Sequence, residues 1–282
     1  MPMTQADIRS FYQRHWKEQS DGAHTTGDLA SSSPIEDRVL YPLYARLLRD
    51  LAVRVDGGRV LDIGCGSGRW IRFFLENFRP ALLRGMDVTP QSVELLQRWH
   101  PTAAGTHLEY RVGDITSADL PIDEPFDCIN IANVLFHIPE ADLFTRALAN
   151  LARLVAPGGR IFTTEYLPRC AMRTEWMLVR SRYQFEEQVR EAGLRILTMR
   201  AFGFFANDPM GVDGPDSGTR GYFHRVRTGI QNVLNSPLDA TNRTYFIDLF
   251  AEIERALLAF CGEHMADIDL PAQKLVVLAR GD

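Results

Sequence analysis

Asp62 stands two residues before the first of three alternating glycines, Gly64, Gly66 and Gly68, which close the apolar run Val60-Leu61-Asp62-Ile63. Glycines at this density let a backbone turn tightly and approach a ligand, and strand, glycine turn and helix in that order outline a nucleotide-cofactor site. A dinucleotide turn reads G-x-G-x-x-G and rests a pyrophosphate on the helix N-terminus. Here the third glycine comes one residue early, and a carboxylate beside a diphosphate would repel it. Asp62 suits instead a ligand that brings a positive charge, such as an amino acid ammonium. Two more acids end apolar segments. Asp87 stands 19 residues beyond Gly68, where a carboxylate meets a ribose diol. Asp114 follows the alternating Leu108, Tyr110 and Val112. Either acid alone also reads as an ordinary turn residue after a strand.

The elements that must position these residues alternate between strand and helix periods. Ile71, Phe74, Leu75 and Phe78 fall at i, i+3, i+4 and i+7, an apolar helical stripe directly after the glycines. Residues 82–87 read as the second strand. Thr89 as N-cap and Pro90 as first helical residue open the next helix, with Val93 and Leu96 inward. A fourth strand, 126–135, ends in Phe136-His137-Ile138-Pro139, and Leu143, Ala147, Leu151 and Leu154 stripe the helix after it. Pro157-Gly158-Gly159 ends that helix before a fifth strand at 160–166. Ser181-Arg182-Tyr183-Gln184 has the form of a capping box, with Phe185, Val189 and Ala192 as the stripe up to Gly193. A sixth strand at 194–199 and a last one at 274–278 complete the series.

The glycine turn with its leading acid resembles motif I of the class I S-adenosylmethionine (SAM) dependent methyltransferases. Asp87, Asp114, the fourth strand and its following turn stand in register with that family. The resemblance implies a Rossmann-like, doubly wound, seven-stranded α/β sheet, mostly parallel with an antiparallel last strand. It also implies SAM as cofactor. The cofactor residues it assigns are Asp62, Gly64, Cys65, Gly66 and Gly68 at the methionine end and Asp87 with Val88 at the ribose. Asp114 and Ile115 fall at the adenine, where the family's acid takes the amino group, and Ile131, Ala132 and Asn133 lie in the fourth strand.

The chain of 282 residues exceeds the common domain size of about 100 to 150, so a core with additions is expected. Residues 1–54, with helices near 8–17 and 38–51 around a Gly- and Ser-rich loop, read as an N-terminal helical lid, and 55–200 as the SAM-binding core. Residues 201–272 form a helical insertion between the sixth and seventh strands, and 273–282 the final core strand. An insertion of about 70 residues is too long for a structureless loop. It carries Phe202, Phe204 and Phe205, a Gly/Asp loop and helices near 221–235 and 241–262. Phe246, Leu249, Phe250 and Ile253 stripe the second helix, to pack on the core, line a substrate pocket or mediate a homodimer. Arg220 to Arg227 mixes cations with rings, as a solvated face or an anion clamp.

A net charge of −5 argues against a nucleic-acid substrate. The four cysteines are far apart and read as free thiols of a reducing compartment. The N-terminus lacks the apolar stretch of a signal peptide, and no run is long enough to span a membrane. The expected setting is cytoplasmic, without membrane or nucleic-acid partners.

Methyl transfer from a sulfonium needs chiefly alignment of the acceptor, with a base where the nucleophile carries a proton. His137, just past the fourth strand, is the first candidate base, with an ordinary reading as a turn-shaping histidine. Glu165 and Tyr166, at the end of the fifth strand, could orient an acceptor, and Tyr12, His15 and Trp16 could close from above. No carboxylate cluster suggests a metal, and Asn130-Ile131-Ala132-Asn133 does not match the Asn-Pro-Pro-Tyr segment of the amino-methylating relatives. The leading expectation is a methyltransferase with a small-molecule acceptor. One alternative is an enzyme attacking another sulfonium carbon, cyclising the cofactor and releasing methylthioadenosine. The other is a non-catalytic SAM-binding partner protein.

Overall fold

Strand β1 (Arg59–Ile63) lies in the middle of a parallel sheet, and its apolar residues are buried on both faces, as a central strand requires. The computed structural model describes residues 4–21, 34–120, 122–173, 177–203, 218–264 and 273–281. After helices α1 (Gln5–Asp21) and α2 (Pro34–Asp50) come β1, α3 (Arg69–Asn77), β2 (Leu82–Asp87), α4 (Pro90–Trp99) and β3 (His107–Val112). Then follow β4 (Phe126–Asn130), α5 (Ala141–Leu154), β5 (Val155–Tyr166), the short strands β6 (Met172–Arg173) and β7 (Leu178–Val179), and α6 (Arg182–Glu191). The series ends with β8 (Leu194–Ala201), α7 (Gly218–Asn235), α8 (Ala240–His264) and β9 (Gln273–Arg280).

Seven strands form one sheet in the order β3-β2-β1-β4-β5-β9-β8. β9 runs antiparallel to both β5 and β8, and the remaining pairings are parallel, so the expected Rossmann-like architecture is present. Its order reverses at β1, which puts the crevice for a ligand at the carboxyl ends of β1 and β4. The register is specific there: Asp62 lies between Gly85 of β2 and Asn130 of β4. One face of the sheet is covered by α5 and α6 through Phe144, Leu148, Leu151 and Phe185. The other is covered by α2 and α3, where Tyr44 stacks on Phe162 at 4.4 Å and meets Trp70 at 4.6 Å.

Several local expectations are corrected. β4 stops at Asn130 instead of running to Leu135: Asn133 turns left-handed at φ 59°, and Leu135–His137 form one 3-10 turn. β5 begins at Val155, so the Pro-Gly-Gly segment lies within the strand rather than before it. A register shift against β4 between Phe126 and Cys128 accommodates it. Thr89 occupies the N-cap position of α4 without capping it, because its hydroxyl turns back to Asp87. The Ser181–Gln184 capping box forms as expected. In α8, Phe246 and Phe250 pack with Ile35, Val39 and Leu234, but Leu249 and Ile253 are exposed. The buried stripe is rotated toward Ile247, Ala251 and Leu258, which face α2. Phe204, Phe205 and the 207–217 loop lie outside the described residues, as do the 22–33 loop and the side chains of His15, Trp16 and 220–224.

Candidate active site

The carboxyl ends of β1, β2 and β4 open into a cavity of about 220 Å³. Its floor is the glycine turn. Gly64 has φ 69°, and a Cβ there would fall 2.4 Å from Val134 Cγ2 in the turn after β4. Only glycine lets the two segments close to this separation. Gly68, at φ 83°, sets the N-cap of α3 and faces Leu96, whose Cδ2 would meet a Cβ at 2.5 Å. It therefore packs α3 against α4 and does not line the cavity.

Three acids surround the site, each held differently. Asp62 is buried; its Oδ1 accepts from Asn130 Nδ2 at 2.7 Å, and Asn130 Oδ1 in turn accepts from the Tyr44 hydroxyl at 3.0 Å. Burial pushes the Asp62 carboxyl up to about 7, against the Asn130 bond and with help from the Asp87 charge. Its Oδ2 is buried and has no hydrogen-bond partner among the described residues. Asp87 accepts from the Gly66 amide at 3.0 Å on Oδ2, and from Thr89 N and Oγ1 at 2.9 and 2.7 Å on Oδ1. Burial again raises its pKa, opposed by these bonds. Asp114 anchors its own turn through Thr116 N and Oγ1, both at 2.8 Å, and receives Arg9 of α1 on Oδ2.

The wall beyond β4 is fixed by strain held in place. Asn133 keeps its left-handed backbone because Thr164 clamps it. The Asn133 amide donates to Thr164 Oγ1 at 2.9 Å, and that hydroxyl donates to Asn133 Oδ1 at 2.8 Å. His137 reaches the cavity, with its Nε2 at 3.0 Å from the Tyr12 hydroxyl of α1. Above the glycine turn, Arg69 is bound by Glu36 at 3.0 Å and Asp37 at 2.8 Å, both from α2, and lies over the Tyr41 and Trp70 rings.

Of the residues singled out in sequence, the structure gathers Gly64, Cys65 and Gly66 with Asp87 and Val88 around the cavity. Asp114, Ile115, Ala132, Asn133 and His137 complete the same lining. Asp62 and Ile131 stand behind it; Ile131 is fully buried in the sheet core, with its amide on Phe162 O at 2.8 Å. Glu165 and Tyr166 also lie outside the lining. Glu165 is buried, accepts from Thr163 Oγ1 at 2.7 Å, and is pushed up to about 8 by burial, against Thr163 and the Arg180 charge. Arg180 stacks 3.4 Å from the Phe144 ring and donates to Ile138 O at 2.9 Å, so this pair braces the His137 turn from beneath. Tyr166 packs edge-on to Phe136. Arg9, Gln5 and Arg69 were missed. Gln5, Ile8, Arg9 and Tyr12 share one helical face at i, i+3, i+4 and i+7, a period that could have found the first two.

The cradle fits SAM on its own terms. A ligand carrying an ammonium and a sulfonium suits two buried carboxylates, one with an orphaned oxygen, far better than a diphosphate would. Among the described residues no group of three metal-ligating side chains converges.

Residues 60–159 match the methyltransferase-domain family. A fatty-acid O-methyltransferase of Mycolicibacterium smegmatis is 32% identical over 151 residues, 53% of this chain and 48% of that protein. A ubiquinone biosynthesis O-methyltransferase of Xanthomonas euvesicatoria is 32% identical over 108 residues, 38% of this chain and 42% of that one. The chain thus matches about half the length of these relatives or less. A SAM-dependent methyltransferase from Leishmania major shares the fold at TM-score 0.54 and 20% identity, over 68% of this chain and 75% of that one. The fold and its cradle define a methyltransferase domain. Its residues 60–159 carry the match to that family, on a fold shared with SAM-dependent methyltransferases, whose cofactor is S-adenosylmethionine.

Proposed function

We propose that the protein transfers a methyl group from SAM to an oxygen atom of a small-molecule acceptor. The observation that carries this is the buried, unpartnered Oδ2 of Asp62 behind a glycine cradle that a cation suits. Asp62, behind the turn, would balance the charge of the cofactor's ammonium, while the Gly64 and Gly66 backbone would take its methionine arm, Asp87 the ribose and Asp114 the adenine amino group. SAM supplies an electrophilic methyl group when bound. The chain contributes alignment, exclusion of water by α1, and a histidine at the cavity to handle a proton. Oxygen as acceptor atom is supported by the O-methyltransferase relatives.

Calorimetry of SAM binding and mass spectrometry of the products test this together. Asp87→Ala is expected to lose about 1.5 to 3 kcal/mol of cofactor affinity for each charge-assisted bond removed. Turnover should release S-adenosylhomocysteine. Unchanged affinity in the variant would reject the site, and methylthioadenosine as sole nucleoside product would reject methyl transfer.

A further inference from the structure

We infer that Tyr12 of α1 is a catalytic residue paired with His137, and that the acceptor this pair serves is a neutral hydroxyl compound rather than a carboxylate. The inference rests on the methyl-transfer reading above. Gln5, Ile8, Arg9 and Tyr12 bring one face of α1 onto the cavity, and contacts along that face fix the helix to the turn after β3 and the turn between β4 and α5. The Gln5 amide donates to Glu140 Oε1 at 2.8 Å, Arg9 binds Asp114, and the Tyr12 hydroxyl lies 3.0 Å from His137 Nε2. Tyr12 also packs with Leu95 and Trp99 of α4, so its ring is held from outside while its hydroxyl points to the histidine. Burial and the Asp87 charge push the Tyr12 phenol up to about 12, so it keeps a proton to pass on at neutral pH.

The charges around the cavity argue the acceptor class. A carboxylate is already ionised at neutral pH and needs a cation more than a base. Both arginines lining the cavity are committed, Arg9 to Asp114 and Arg69 to Glu36 and Asp37. Asp87, which has no cationic partner among the described residues, would repel a further anion. A neutral hydroxyl brings no charge and needs what Tyr12 and His137 offer. Its proton passes to Tyr12 Oη as the tyrosine's own proton passes to His137 Nε2. The oxygen's electron pair forms the new bond to the methyl carbon, whose bond to sulfur breaks with its pair left on sulfur. The products are a methyl ether, a thioether and a protonated imidazole.

The test offers the full chain with SAM two probes of similar apolar length, 4-heptylphenol and decanoic acid, and identifies ether or ester by mass spectrometry. The ether is expected with kcat/KM at least tenfold above that of the ester. Tyr12→Phe, which retains the ring packing, should lower kcat on the phenol at least tenfold with KM changed less than threefold. In the cofactor-free protein, nitrogen-15 shifts of His137 should move on the same substitution as Nε2 loses its partner. Preferred ester formation, or neither product from a protein that binds SAM, overturns the acceptor class. Unmoved His137 shifts, or an unchanged kcat in Tyr12→Phe, overturn the pairing. Failure of the wild-type chain to bind SAM would instead overturn the reading on which the inference rests.

Discussion

Asn130 donates to Asp62 at 2.7 Å across the β4–β1 register, and among the described residues that single bond is what supports a carboxylate buried within the sheet. The Asp62 pKa is raised to about 7 from an ordinary 3.8. Between those values the native chain holds a proton that the unfolded chain has released. Stability therefore falls as pH rises through that window, and the penalty is complete above about 7. Asp62→Asn should raise the melting temperature of the cofactor-free protein at pH 8, lose most of that advantage near pH 5, and weaken SAM binding. A variant equally stabilised at both pH values would show that the carboxylate is not the source of strain.

Arg69 ties α2 to the start of α3, and Glu36, its partner, is only 4% exposed. Arg69→Met removes the guanidinium from that buried carboxylate, a loss of about 3 to 5 kcal/mol in urea unfolding. Adding Glu36→Gln should recover a large part of it. If the single and double variants unfold alike, the ion pair is not what holds the two helices.

Thr164 is the clamp on the left-handed Asn133 backbone. Thr164→Val removes a donor and an acceptor from a site with almost no exposure, at a cost of about 1 to 3 kcal/mol. Asn133→Gly, which needs no clamp for its backbone, should tolerate the same substitution better. Chemical denaturation of the two singles and the double measures the coupling, and strict additivity would disprove it.

Much of this was legible in the chain. Period and spacing located β1, β2 and the acids at their ends, because a buried parallel strand must be apolar and a ligand-facing carboxylate must follow it at a fixed distance. What sequence misplaced depended on partners far along the chain. Glu165 lies at the end of the fifth strand as an acceptor-orienting residue would, yet the β5–β9 pairing and Arg180 turn it into the core beneath the His137 turn. The end of β4 was misjudged because Ile131-Ala132 is as apolar as any strand, and only the Thr164 clamp reveals where the backbone reverses. Arg9 and Arg69 gave no local signal of function, since an arginine on a helix is usually solvated and only tertiary contact shows otherwise.

The face of α1 that rests on the cavity has a kinetic meaning. Arg9 and Tyr12, fastened to Asp114 and His137, stand with Ile8 in the lining, so a ligand that enters on this side must displace them. For entry by that side, unlatching of the helix comes before association, so the observed rate levels off with ligand concentration at the frequency of opening, and residence time is set by opening of the same helix in the liganded state.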